Sequence, residues 1–384
     1  MITRDIAYIG VDDTDLDLFE SQYIIPNGIS YNSYLIKDEK IAIMDTADNR
    51  KIDEWQGNLR TALDGRTPDY LVVQHMEPDH AGCIAEILEE YPAIKIVASA
   101  RAIQMMPQFF EGRDFSQNAI AVKEGDTLSL GEHTLQFFMA PMVHWPEVMV
   151  TYDKKDKVVF SADGFGKFGA LSHEEDWACE ARRYYFNICG KYGGPVQALL
   201  KKLATLDVEC ICPLHGPILK ENLGYYIGLY DTWSKYDVET EGVFIAYASI
   251  HGGTAAVANV MAEILREKGA KKVSVADLSR DDMAEAIEDA FRMDKMIVAA
   301  ASYDGGVFPV MHDFLHHLQI KAYQKRRVGI IENGSWAPCA GRVMRGMLEQ
   351  MKDVEIAEPM VTILSRMKQS DRAALEALAD AILK

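Results

Sequence analysis

The stretch Gln74-His75-Met76-Glu77-Pro78-Asp79-His80 follows the apolar run Tyr70-Leu71-Val72-Val73 and precedes Ala81-Gly82-Cys83-Ile84 and a helical pattern. This order predicts a strand that ends in a ligand-bearing turn. Four side chains able to bind a metal fall within six positions, and Pro78 stiffens the backbone that carries them. A plain strand-to-helix turn, with Asp79 capping the helix, accounts for one such residue but poorly for the set His-x-Glu-x-Asp-His.

The rest of the chain must supply a scaffold for that turn. At 384 residues, 48% apolar and 26% charged, the length favours two domains, each with its own core. No cationic stretch followed by an apolar segment opens the sequence, and no apolar run approaches a membrane span, so a cytoplasmic location is expected. A formal charge of −18 without a Lys/Arg cluster argues against a nucleic-acid partner. Six cysteines are too sparse for a disulfide framework, and Cys210-Ile211-Cys212 has the wrong spacing for a zinc knuckle. They read as buried thiols in a reducing compartment.

The first part of the chain reads as β-rich. Ser33-Tyr34-Leu35-Ile36 and Ile41-Ala42-Ile43-Met44-Asp45 predict a hairpin with the charged tip Lys37-Asp38-Glu39-Lys40. Helical spacing runs from Ile52 to Leu63 and again from Ala81 to Tyr91, with a strand at Ile94–Ala98, which gives the alternation of a layered α/β domain. Three more ionisable residues stand at or just beyond strand ends: His144 in Pro-Met-Val-His-Trp-Pro, Asp163 in Phe-Ser-Ala-Asp-Gly, and His215 in Cys-Pro-Leu-His-Gly-Pro. Taken singly, His144 suits core packing and Asp163 a common turn. Taken together, all three lie at the edge that carries the first cluster.

A polar connection, Asp237 to Gly242, follows an aromatic helical stretch and marks the expected boundary, with domains at 1–240 and 241–384. Beyond it, apolar strands at Gly242–Tyr247, Lys272–Ala276, Met296–Ala301, Val328–Ile331 and from Val354 alternate with helices. That pattern predicts a doubly wound parallel sheet, which binds ligands at the carboxyl ends of its strands. Three loops at those ends are rich in small or polar residues: Ser249-Ile250-His251-Gly252-Gly253-Thr254, Ser302-Tyr303-Asp304-Gly305-Gly306, and Asn333 followed by Gly334-Ser335-Trp336-Ala337-Pro338-Cys339-Ala340. Cys339 lacks a flanking base and reads as a small loop residue rather than a catalytic thiol.

The metal turn resembles the His-x-His-x-Asp-His signature of the metallo-β-lactamase fold, with Glu77 where the hydrolases carry their second His. A hard carboxylate in that place moves the ligand set from one suited to zinc towards iron or manganese. Within that superfamily the sequence resembles the flavodiiron (A-type) flavoproteins over essentially its whole length. The resemblance implies an N-terminal metallo-β-lactamase-like αββα sandwich and a C-terminal flavodoxin-like domain. It also implies seven ligands for two irons: His75, Glu77 and His144 on one, Asp79, His80 and His215 on the other, and Asp163 bridging. Some members leave the position of His80 uncoordinated. The three loops match the places that hold FMN. Ser249 to Thr254 resembles the phosphate loop, although Gly253 replaces a frequent Asn and His251 a Thr or Tyr. Tyr303 and Trp336 match positions that pack on the flavin ring, and backbone groups near Gly305 and Cys339 those that meet its polar edge.

The activity so implied is reduction of dioxygen to water, nitric oxide to nitrous oxide, or both, at a non-haem diiron centre fed by FMN. With no four-Cys rubredoxin module or NADH-binding domain before Lys384, a separate donor is expected, rubredoxin or reduced coenzyme F420. The resemblance also implies a head-to-tail homodimer, or a dimer of dimers, in which each iron site borrows the partner's flavin. Two other readings stay open from sequence: a dinuclear zinc hydrolase with a flavodoxin-like appendage, and an electron carrier whose first domain is only structural.

Overall fold

The computed structural model describes residues 2–384. Packing divides it into two compact units, one formed by the chain up to Tyr185 together with Tyr192–Asp231, the other by Phe186–Lys191 together with Thr232–Lys384.

The first unit is a pair of facing sheets. One has six strands in the order Ile6–Tyr8, Tyr34–Lys37, Ile41–Met44, Tyr70–Val73, Lys95–Ser99, Ala119–Val122, antiparallel over the first three and parallel after that. The other has five, Thr127–Ser129, Thr134–Met139, Met149–Asp153, Val158–Phe160 and Cys210–Cys212, with only the last pair parallel. Side chains from both, among them Ile36, Met44, Val72, Phe137, Met149 and Phe160, meet in a single buried cluster. The strand Tyr70–Val73 is buried at every position, which explains why it reads as a continuous apolar run and not as an alternating one.

Helices cover the outer faces. In Ile52–Leu63 the buried residues Trp55, Leu59 and Leu63 recur every four positions, giving one apolar stripe. Asp53 and Glu54 in its first turn and Arg60 in its last complement the helix dipole. Ala81 to Tyr91 does not form the single helix its spacing predicts. A short helix, Pro78–Ala81, is followed by a second, Ile84–Glu90. The break has a local cause: the His80 carbonyl accepts from Thr46 N (2.8 Å) and Thr46 Oγ1 (2.7 Å). It is thereby diverted from the helical ladder and ties the metal turn to the end of the neighbouring strand.

In the second unit the parallel strands run Val273–Asp277, Thr240–Ala248, Met293–Tyr303, Arg326–Asn333, with Val354–Ile356 and Val361–Ile363 sharing the far edge. Counting along the chain this is the order 2-1-3-4-5, the flavodoxin-like form of the doubly wound sheet, as the strand-helix alternation predicts. Helices Gly253–Glu267 and Arg372–Leu383 pack Val257, Met261, Leu265, Leu375, Leu378 and Ile382 onto Ile245, Ile297 and Ile331.

Leu378 lies wholly inside that cluster, 0% exposed. Replacing it by Ala removes buried methyl groups and leaves a cavity, so Leu378→Ala is expected to cost about 2–5 kcal/mol in urea unfolding followed by flavin fluorescence or circular dichroism. An unchanged midpoint would show that this helix contributes no core.

Candidate functional site

All seven predicted metal residues converge at one end of the first unit. Tyr70–Val73 leads into His75 to His80, Val158–Phe160 into Asp163, and Cys210–Cys212 into His215, while His144 lies in the connection between the paired strand ends Met139 and Met149. The donor atoms fall into two groups: His75, Glu77, His144 and Asp163 in one, Asp79, His80 and His215 in the other.

Asp163 faces both. Its Oδ2 stands 3.0 Å from His144 Nε2 and 3.3 Å from His75 Nε2, and its Oδ1 stands 3.2 Å from His80 Nε2 and 3.9 Å from His215 Nε2. Glu77 Oε2 completes the first group at 3.1 Å from His75 Nε2 and 3.2 Å from His144 Nε2. Asp79 Oδ2 completes the second at 3.2 Å from both His80 and His215 Nε2, and those two nitrogens are 3.1 Å apart. His80 therefore turns its Nε2 into the cluster as the other three histidines do.

The environment suits cations. Both Asp79 oxygens and Asp163 Oδ1 are buried without a hydrogen-bond partner, a costly state for a carboxylate unless positive charge lies among them. Two imidazoles are held from behind: His75 Nδ1 meets Glu147 Oε1 at 2.8 Å, and His215 Nδ1 donates to the Ser30 carbonyl at 2.7 Å. This fixes the tautomer that leaves each Nε2 free for a metal. Glu147 also accepts from Met76 N at 2.9 Å and is 1% exposed. Sequence reasoning missed it; the signal was a carboxylate three residues after His144. His80 Nδ1 has no such partner, so this ring is held less firmly than those of His75 and His215.

Without metal the group holds protons instead. Burial disfavours an imidazolium at His144, but hydrogen bonds to Asp163 and Glu77 outweigh it and raise its pKa to about 9. Burial likewise opposes charge on His75, and the Asp163 carboxylate overrides it, so this pKa is also raised. At Asp79 burial dominates and lifts the carboxyl to about 7. Burial holds His215 below the usual histidine value.

The second unit brings its three predicted loops together at the strand ends. Asn333 Nδ2 bonds Thr254 Oγ1 (3.3 Å) and Ser365 O (3.0 Å), and Ser302 Oγ accepts from Cys339 N (2.8 Å) and Ala340 N (3.0 Å). A fourth segment, Leu364 to Arg366, belongs here and was not marked in the sequence. It explains Gly253: a Cβ there would stand 2.4 Å from Ser365 O. Gly252 is at φ 80° with open space around it, at the N-terminus of Gly253–Glu267. Ser249 Oγ is buried without a partner. Backbone amides at a helix start, an unsatisfied hydroxyl and a glycine with no side chain in the way fit a phosphate. Trp336 is 92% exposed, and Ile250, Tyr303 and Leu364 are exposed beside the same strand ends, a surface that fits a planar ring.

Two adjoining groups of ligand-type side chains on a β sandwich and a phosphate-type cradle on a doubly wound sheet fit a class of protein with two cofactors. Residues 29–216 match the family model described as ODP family beta lactamase. The anaerobic nitric oxide reductase flavorubredoxin of Escherichia coli is 28% identical over 88% of this chain and 72% of its own. The rubredoxin oxygen:oxidoreductase of Desulfovibrio gigas superposes with a TM-score of 0.93 over 100% of this chain and 97% of that one, at 26% identity. The flavodiiron protein of Giardia intestinalis shares the fold, with a TM-score of 0.90 over 99% and 95% of the two chains and 22% identity. The chain is thus similar in sequence to a flavorubredoxin and to a rubredoxin oxygen:oxidoreductase, and it shares the two-domain fold of a flavodiiron protein.

Competition between protons and metal for the cluster makes a testable prediction. His144 has a folded pKa, about 9, above its ordinary 6.5, so its stabilising pairs are fully present below pH 6.5 and lost as pH rises through 9. Metal must displace these protons, so its apparent affinity moves the other way. Metal-depleted protein is expected to lose thermal stability from pH 6.5 to 9 while metal uptake tightens. Melting temperatures and affinities that stay flat across that window would contradict the proton assignment.

Proposed function

We propose that the protein is an oxidoreductase that reduces dioxygen to water at a diiron site formed by His75, Glu77, Asp79, His80, His144, Asp163 and His215, with FMN on the loops around Ser249–Thr254, Ser302–Gly306 and Gly334–Ala340. The observation that carries this reading is the Asp163 carboxylate, which presents one oxygen to each group of histidines. When bound, a pair of irons supplies open positions and a change of oxidation state, and FMN converts single electrons from a donor into pairs.

The chain's own residues do the rest. Three carboxylates offset cationic charge inside a buried pocket, and Glu77 in particular favours iron over zinc. Glu147 and the Ser30 carbonyl keep Nδ1 of His75 and His215 occupied, so those rings cannot turn. Aromatic rings enclose the histidines: Trp145 lies 5.2 Å from His75, and Phe19 and Tyr184 lie 5.4 and 5.5 Å from His215, centroid to centroid. They limit water and leave an apolar surround suited to a small neutral gas. The zinc-hydrolase reading leaves Glu77 and the second unit's cradle without a role.

A rubredoxin-type one-electron carrier is the proposed donor, and a head-to-tail homodimer, with the flavin of one chain serving the irons of the other, is the proposed assembly. Nitric oxide is the competing substrate. Steady-state rates with each gas and one reduced donor are expected to favour dioxygen; a large preference for nitric oxide would overturn the substrate assignment, and no turnover with either by iron- and FMN-loaded protein would overturn the function.

A further inference from the structure

The first unit holds another group of ligand-type side chains at the opposite end of its strands. Asp38 lies in the turn before Ile41–Met44, which runs parallel to the strand leading to His75. Asp153 pairs with Val158, the first residue of the strand that runs on towards Asp163. A strand length therefore separates this group from the seven-residue cluster.

His133 and Asp153 are fully buried. His133 Nδ1 is 3.0 Å from Asp153 Oδ2, and Asp156 N donates to that same oxygen at 3.0 Å. The His133 amide donates to Asp38 Oδ2 at 2.6 Å, which fixes the backbone. Two polar atoms remain without hydrogen-bond partners, His133 Nε2 and Asp153 Oδ1. Nε2 faces Asp5 Oδ2 at 3.5 Å. Ligand atoms of His133, Asp153 and Asp156 all lie within 4.8 Å of one another. Asp156, alone of the three, also lines a polar cavity of about 420 Å³, together with Asp5, Asp38, Glu132 and Lys155.

The charges do not balance. Five carboxylates, Asp5, Asp38, Glu132, Asp153 and Asp156, outnumber the nearby cations, of which Lys155 is committed to Asp5 at 2.8 Å and Glu132 at 2.7 Å. Arg4 and Lys37 also line the cavity, but Lys37 Nζ donates to the Ala62 carbonyl at 3.2 Å. A buried carboxylate oxygen without a hydrogen-bond partner, and a buried imidazole nitrogen with only a 3.5 Å approach to Asp5, lie beside surplus carboxylates and attract a cation. The 3.0 Å spacing of His133 and Asp153 also matches the spacing of neighbouring donors in the seven-residue cluster, 3.0 Å between His144 and Asp163.

We propose that His133, Asp153 and Asp156 form a third metal site, which takes one divalent transition-metal cation through an imidazole and two carboxylates. Imidazole and carboxylate donors together are ligands that manganese, iron and zinc all accept, and Zn²⁺ serves as the probe because its absorption edge is well separated from that of iron. The ion would clamp the turn at His133 to the hairpin at Asp153–Lys157, with Asp5 bringing the N-terminal segment alongside. This role is structural and independent of the reaction at the other end of the strands.

Crystals of the iron-loaded protein soaked in Zn²⁺ test this by anomalous difference density on either side of the zinc edge. The wild type is expected to show a peak within bonding distance of His133, Asp153 and Asp156. Asp156→Asn, at a partly exposed position, is expected to lose that peak while keeping the metals at His75 to His215. No peak beside His133 in the wild type, or an undiminished one in Asp156→Asn, overturns the proposal. Calorimetry provides the check in solution: Zn²⁺ affinity at least tenfold weaker in Asp156→Asn supports the site, and identical isotherms reject it.

Discussion

A single carboxylate, that of Asp163, sets the terms for the first unit. It is 1% exposed and touches imidazoles on two sides, so it can remain ionised only where cations or protonated rings surround it. Its histidine neighbours hold it far below the ordinary carboxylate range despite complete burial. The backbone around it is built to match. Ala162 sits at φ 50°, Leu214 N donates to the Ala162 carbonyl at 2.9 Å, and Asn32 Nδ2 bonds the carbonyls of both Pro213 and Gly216. The bond from Leu214 N to the Ala162 carbonyl ties the turn of Asp163 to that of His215, so the two groups of side chains share a backbone support.

Much of this was legible in the sequence because the proposed ligands follow strand ends, and strand ends are marked by apolar runs stopping at Pro, Gly or Asp. Tyr70–Val73 and Ile52–Leu63 have the bounds that their patterns predict. What supports the ligands was not legible. Glu147 acts on His75 across 72 positions of sequence, and Ser30 on His215 across 185, through contacts that only the folded sheets create. The split of the predicted helix at Gly82 and Cys83 likewise depends on Thr46, which lies on a different strand's exit.

In the second unit the same contrast holds. The phosphate-type loop is recognisable from its glycines, and Gly253, which departs from the usual Asn, is required there by the Ser365 carbonyl packed against it. Ser365 sits after the short strand Val361–Ile363 with φ 65°, in a stretch whose composition marks no loop of interest. The segment Phe186–Lys191, which packs with the second unit although it precedes that unit's first strand by nearly fifty positions, is a further feature of the fold that no linear pattern marks.

The central claim is that one carboxylate joins two metal groups into a single centre. Iron quantification on purified Asp163→Ala, beside the wild type and with FMN measured in the same samples, tests it most directly. The account predicts two irons per chain in the wild type and loss of iron from both groups in the variant, with FMN content unchanged because its cradle lies in the other unit. A variant that keeps its full iron content would contradict the account and reduce Asp163 to a turn residue.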